Sequence, residues 1–263
     1  MKPAPFAYAR PTSWSDAVQL LANGARPGAG TQSLGPLLNL RLAQPDTIAD
    51  LRHLPDYAGV TVADGQVCIA AGTTHAAIED GAVPGRLGEI MSGIARGIAY
   101  RPVRNRGTIG GSLAHADPAA DWVAVLPALG ATAVALGPSG ERRIPAARFV
   151  TGIFETTLEA DELLRFVEVP VLPAETRWGH WKFCRKVGEF SKATACVLAL
   201  PGKPPRAVLA ALDGPPLVIE DASALVKDPA AEARRIVDRG ADLVPWRRAI
   251  AETALRRAVE GLA

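Results

Sequence analysis

The chemistry this chain is best equipped for lies in its backbone. Two stretches, residues 28–35 (GAGTQSLG) and 107–112 (GTIGGS), combine glycine with small hydroxyl and amide side chains. Glycine lets the main chain approach a ligand closely and turn several N–H groups towards one point, which holds an anion without a charged side chain. Thr31, Gln32, Ser33, Thr108 and Ser112 add neutral donors. Two such stretches could enclose a pyrophosphate, but taken singly each reads equally well as a tight turn. The familiar nucleotide patterns fail here. A GxGxxG fingerprint needs glycine where Ser33 stands, and its stretch follows NGARP rather than a strand. A phosphate-binding P-loop needs lysine after Gly35, where Pro36 stands.

Close behind the second stretch, Asp117 and Pro118 read as a helix start. Asp117 would be the cap and Pro118 the first helical residue, where no N–H is needed. Asp121 then falls in the first turn, where a carboxylate suits the helix dipole. It could equally accept from ribityl or ribose hydroxyls. Other side-chain chemistry is sparse. The four histidines (His53, His75, His115, His180) show no HxxxH or HxH spacing. The three cysteines (Cys68, Cys184, Cys196) form no CxxC, cannot supply four iron–sulfur ligands and make no disulfide framework. No metal site is expected on this chain.

These stretches must be held by elements that hydrophobic spacing and turn residues reveal. A helix is predicted over PTSWSDAVQLLANGA, capped by Ser13 or Ser15 and ended by Asn23-Gly24. TIADL reads as a strand. VTV and VCIAA flank Asp64-Gly65 as a hairpin, and Thr73 or Thr74 caps a following helix. A glycine-weakened helix covers GRLGEIMSGIARGIAY. Further hairpins are predicted around Pro138-Ser139-Gly140 and Asp213-Gly214, with strands in ELLRFVEVPV and HWKF. Two amphipathic helices end the chain, with Ile250, Leu255, Val259 and Leu262 on one face of the last. Hairpins mixed with helices indicate an α+β architecture, with a domain boundary within residues 170–179.

The 263 residues can bury a substantial core, and 48% hydrophobic with 21% charged residues is ordinary for a globular protein. A net charge of +2 gives no reason to expect nucleic acid as a partner. No apolar run is long enough for a membrane span. The first residues carry no apolar signal core, so a cytoplasmic chain is expected.

Read together, the two stretches resemble one family. AGTQSLGPLLNLRLAQP looks like the first FAD-binding motif of the flavoprotein (medium) subunit of molybdenum hydroxylases, the family of the carbon monoxide dehydrogenase medium subunit and the xanthine dehydrogenase FAD domain. RNRGTIGGSLAHADPAADW looks like its second motif, and WKFCRKVGEFSKA resembles the start of its C-terminal domain. The resemblance implies a two-subdomain FAD-binding domain of the vanillyl-alcohol-oxidase/PCMH type over residues 1–173, with subdomains 1–55 and 56–173. A small α+β C-terminal domain would follow over residues 174–263. It also implies that FAD lies between the subdomains. Ala29, Gly30, Thr31, Gln32, Ser33 and Leu34 would flank one side of it, and Thr108, Ile109, Gly110, Gly111 and Ser112 the other.

Asp121 matches the family's acidic FAD contact. Leu163 or Leu164 falls near an apolar flavin contact, and Lys182 matches a basic residue near the isoalloxazine. His115, Tyr100 and Trp181 could line the flavin region or simply pack. Two departures matter. Thr31 stands where many members have a second glycine, so the turn must accept a Cβ. Gln32 stands where covalent flavoproteins would carry the attaching histidine, so FAD is expected to be non-covalent.

The implied partners are a large molybdopterin subunit and a small subunit with two [2Fe–2S] clusters, as a dimer of heterotrimers. This chain would pass electrons to an external acceptor. Two other functions fit the same motifs: a self-contained flavin oxidase, and a scaffold that has lost FAD.

Overall fold

The structure is a computed structural model describing residues 2–240 and 242–262. The chain starts with strand β1 (Ala7–Ala9), helix α1 (Trp14–Ala22), β2 (Arg26–Gly28), α2 (Leu34–Asn39) and β3 (Thr47–Asp50). Ser13 caps α1 by accepting from the Asp16 amide at 3.1 Å. The strands form a small parallel sheet in the order β1-β3-β2. No strand is expected from the sequence before the first glycine stretch, and β2 corrects that expectation. This strand is three residues long, and Pro27 is tolerated because β2 lies at the sheet edge.

Next come β4 (Val60–Ala63) and β5 (Gln66–Ala70), joined by Asp64 and Gly65. Both turn residues have positive φ (51° and 74°), as a type I′ hairpin requires. The following helices are α3 (His75–Glu79), α4 (Gly85–Arg96), α5 (Arg101–Arg104), α6 (Ile109–His115) and α7 (Asp121–Ala128). Then come β6 (Thr132–Gly137), β7 (Gly140–Pro145), the ribbon of β8 (Val150–Gly152) and β9 (Glu155–Thr156), and β10 (Leu163–Pro170). An antiparallel sheet runs in the order β4-β5-β10-β6-β7.

A third sheet follows in sequence order: β11 (Arg177–Phe183), β12 (Ala193–Ala199), β13 (Arg206–Ala210) and β14 (Leu217–Ile219). Helices α8 (Ser223–Lys227), α9 (Pro229–Gly240) and α10 (Pro245–Glu260) complete the chain. Helix α10 lies on β11 and β12. Its approach is close enough that a Cβ on Gly179 would run into the Ala258 carbonyl. The buried stripe of α10 is Ala251, Ala254, Leu255 and Ala258, while Ile250, Val259 and Leu262 pack partly buried at its margin. The architecture is α+β, as expected.

Two predicted features change. TIGGS is not a loop: Thr108 caps α6, and Ile109 to His115 are helical. Tertiary packing outweighs the low helix propensity of glycine there. Asp117-Pro118 does not start a helix either. Asp117 Oδ1 accepts from the Ala119 amide and its carbonyl from the Ala120 amide, both at 2.9 Å. This makes a turn with Pro118 at its second position. Helix α7 starts at Asp121, and Trp122 to Ala128 are all buried. Lying against β12 and β13 as well, α7 joins the third sheet to the rest.

Candidate functional site

The two glycine stretches meet in space. The first leaves β2 at Gly28 and reaches α2 through residues 29–33. A Cβ on Gly30 would collide with the Arg106 carbonyl and the Gly107 backbone, so only glycine allows this crossing. Thr31 adopts a left-handed φ of 58°, so the turn accepts its Cβ at a cost of about 1–2 kcal/mol. Gln32 Nε2 closes the turn by donating to the Gly30 carbonyl at 3.0 Å. The amides of Gly30, Thr31, Gln32 and Ser33 have no hydrogen-bond partner among the described residues.

The second stretch is built differently. The Ile109 amide donates to the Thr73 carbonyl (3.0 Å) and the Gly110 amide to the Ala71 carbonyl (2.9 Å). Those of Gly111 and Ser112 are used by Thr108, through its Oγ1 (3.0 Å) and its carbonyl (2.9 Å). Ile109 is fully buried and Gly110 packs against Ala71. The stretch therefore presents Thr108, the bare Cα of Gly111 and Ser112, with the Thr108 amide alone left without a partner among the described residues. A Cβ on Gly111 would lie 2.8 Å from Thr108 Oγ1 and 3.3 Å from the Ala29 side chain. One jaw offers four unpaired amides, and the other one amide and closeness.

Between them lies a cavity of about 310 Å³ lined by Gly30, Gln32, Ser33, Thr108, Gly111 and Ser112. Asp121 and His115 line it too. It continues outward into two open cavities of about 530 and 710 Å³ that share Ser33 and His115. Leu34 lines the first of these. The His115 ring packs on Phe154 with centroids 4.9 Å apart, and burial lowers its pKa. Leu163 and Leu164 are buried on β10, and the segment before them supplies cavity walls through Leu158, Glu159 and Glu162. Tyr100 is exposed, and Trp181 packs against the cluster beneath α10.

Sequence reasoning missed His75, Ile98, Ala99 and the run Gly188, Glu189 and Phe190, which also line the inner cavity. They arrive from separate elements: Gly188 to Phe190 lie in the WKFCRKVGEFSKA stretch, whose resemblance points to Lys182 as the flavin contact, and the others carry no motif. Arg104, buried against Glu79, holds the Ile98 and Ala99 carbonyls at 2.9 and 3.2 Å and so fixes that wall.

Asp121 and Lys182, assigned separately by resemblance, are bonded to each other. Lys182 Nζ lies 2.8 Å from Asp121 Oδ1 and 2.9 Å from the Gly97 carbonyl. Both side chains are largely buried. Burial raises the Asp121 pKa, and the Lys182 charge offsets this only in part. The result is a cleft with unpaired main-chain donors, glycines where a Cβ would block contact, and an ion pair at its inner end. It suits an extended ligand with an anionic section.

The model of the FAD binding domain in molybdopterin dehydrogenase matches residues 4–172. The 6-hydroxypseudooxynicotine dehydrogenase complex subunit alpha of Paenarthrobacter nicotinovorans is 38% identical over 220 residues, covering 81% of this chain and 74% of that one. The carbon monoxide dehydrogenase medium chain of Afipia carboxidovorans is 38% identical over 202 residues, covering 75% and 70%. A solved chain of carbon monoxide dehydrogenase from Hydrogenophaga pseudoflava overlays with a TM-score of 0.91 at 30% identity, covering 100% of this chain and 98% of that one. The architecture is thus the PCMH-like FAD-binding fold followed by a small α+β unit, and the chain belongs to the family of FAD-binding domains of molybdopterin dehydrogenases.

Proposed function

We propose that this chain is the FAD-binding electron-transfer subunit of a multi-subunit molybdenum hydroxylase. The observation that carries the reading is the row of unpaired amides at Gly30 to Ser33, in a segment whose Gly30, Gln32 and Ser33 line one cavity with Thr108, Gly111 and Ser112. Those amides would hold the pyrophosphate of non-covalent FAD, and Gly111 would let the second jaw approach it. When bound, the isoalloxazine supplies the redox chemistry. The chain contributes binding, orientation and shielding from water.

In this reading the subunit takes electrons from a small partner with two [2Fe–2S] clusters, reduced in turn by a large molybdopterin subunit. It hands them to an external acceptor, within a dimer of heterotrimers in the cytoplasm. Relatives named as medium chains or complex subunits support the multi-subunit part. No helix among the described residues is long and apolar enough to cross a membrane. The proposed division is 1–173, with subdomains 1–55 and 56–173, and 174–263. The family match ending at residue 172 and the third sheet beginning at Arg177 support it.

The test is the visible spectrum of the purified chain and of a Gly111→Asp variant. We expect a flavin band that leaves the protein on denaturation and is absent from the folded variant. A colourless protein that takes up no added FAD overturns the reading, as does a folded variant that keeps its full flavin. Co-purification with a molybdopterin subunit and an iron–sulfur subunit tests the assembly.

A further inference from the structure

His75 is the first residue of α3 and is 5% exposed. Its Nδ1 accepts a hydrogen bond from Nε1 of Trp122 at 3.1 Å, and Trp122 is fully buried in α7. A ring nitrogen that accepts carries no proton, so the neutral imidazole carries its proton on Nε2. Burial, and then the Arg104 charge, push the pKa of His75 down to about 4, so the ring stays neutral near pH 7. Nε2 has no hydrogen-bond partner among the described residues. Unlike Nε2 of His180, this nitrogen is not sealed in the core: it reaches accessible space, where a ligand oxygen can replace water as its partner.

That space is the inner cavity. His75 lines the inner cavity beside Gly107 and Thr108. A Cβ on Gly107 would sit 2.9 Å from Nε2, so glycine at that position leaves the donor edge of the ring uncovered. The donor is thus fixed in tautomer by Trp122 and left open at the wall of the cleft proposed for FAD.

We infer that Nε2–H of His75 donates a hydrogen bond to an acceptor oxygen of bound FAD, with Trp122 as the positioning residue that sets its tautomer. This inference rests on the FAD reading above. The alternative is a purely structural histidine that serves only to receive the Trp122 hydrogen bond.

The experiment uses the full chain, labelled with ¹⁵N-histidine, stripped of flavin and titrated with FAD. With four histidines in the chain, single substitutions assign the signals. We expect the His75 Nε2–H resonance to move downfield and to exchange more slowly as FAD binds. His75→Phe should weaken FAD binding by about tenfold or more, the range for a lost donor to a buried acceptor. His75→Gln, which keeps an amide donor, should stay within a few-fold of the parent. Trp122→Phe should move the ring proton towards Nδ1 and weaken FAD binding as well.

If FAD binds while the Nε2 signal stays unmoved, or if a folded His75→Phe binds FAD as tightly as the parent, the inference is overturned and the FAD reading stands. Failure of the parent chain to bind FAD at all overturns both. Should His75→Phe not fold, the parent's resonance and the His75→Gln affinity decide.

Discussion

Gly30 and Gly35 lie five residues apart and should respond differently to the same substitution. Gly30→Ala drives a Cβ into the Arg106 backbone. We expect a loss of about 1–3 kcal/mol, the usual cost of overpacking, together with loss of bound flavin as the jaws part. A Cβ on Gly35 meets nothing within 4 Å, so Gly35→Ala should change stability by less than about 0.5 kcal/mol and leave the flavin in place. Thermal midpoints and the flavin-to-protein absorbance ratio check both. Thr31→Gly should gain up to about 1 kcal/mol by removing a β-branched side chain from the left-handed region. A lower midpoint for that variant would mean the threonine side chain contributes more than its backbone strain costs. The glycine spacing was legible in the sequence. The division of labour was not, because the Ile109 and Gly110 amides are taken by the Thr73 and Ala71 carbonyls, 36 and 39 residues earlier in the chain.

At the level of elements, the bond between Lys182 on β11 and Asp121 on α7 ties the third sheet to the helix that opens beside the cleft. Lys182→Ala would leave a buried carboxylate without its partner. We expect a cost of about 3 kcal/mol in urea unfolding, since removing one member of a buried pair strands the other's charge. Adding Asp121→Asn to Lys182→Ala should recover part of it. Equal losses in the single and double variants would show that packing, not charge, holds this joint. Most elements were legible: the Ser13 and Thr74 caps, the Asp64-Gly65 hairpin and the closing helices all follow from local residue types. The start of α7 was misread because Asp-Pro serves a turn as readily as a helix start. Only packing of Trp122 to Ala128 against two sheets sets where that helix begins.

Over the whole molecule, two histidines, His75 buried and His180 partly buried, make stability depend on pH. Burial, with Arg104 near His75 and Lys182 near His180, pushes both pKa values down to about 4. His180 Nε2 is buried without a partner. Since unfolding restores a value near 6.5, the unfolded chain binds more protons than the folded one between that pH and about 4. Stability should therefore fall as pH drops through that window, by up to about 1.4 kcal/mol per pH unit for each ring. Thermal midpoints at about pH 7.5, 6 and 5 test this, and His180→Phe should flatten the decline. A midpoint that stays constant across that series in the parent would mean that neither ring is buried as described.

By itself the sequence determined most local elements, the α+β class and, through two ordered motifs, the family, because each depends on residue type and spacing along the chain. The tertiary structure decided which amides remain unpaired, that Asp121 and Lys182 satisfy each other, and that His75 and Gly188 to Phe190 share one cavity. Those properties depend on partners distant in sequence, and hydrogen-bond satisfaction and burial exist only once the chain has folded.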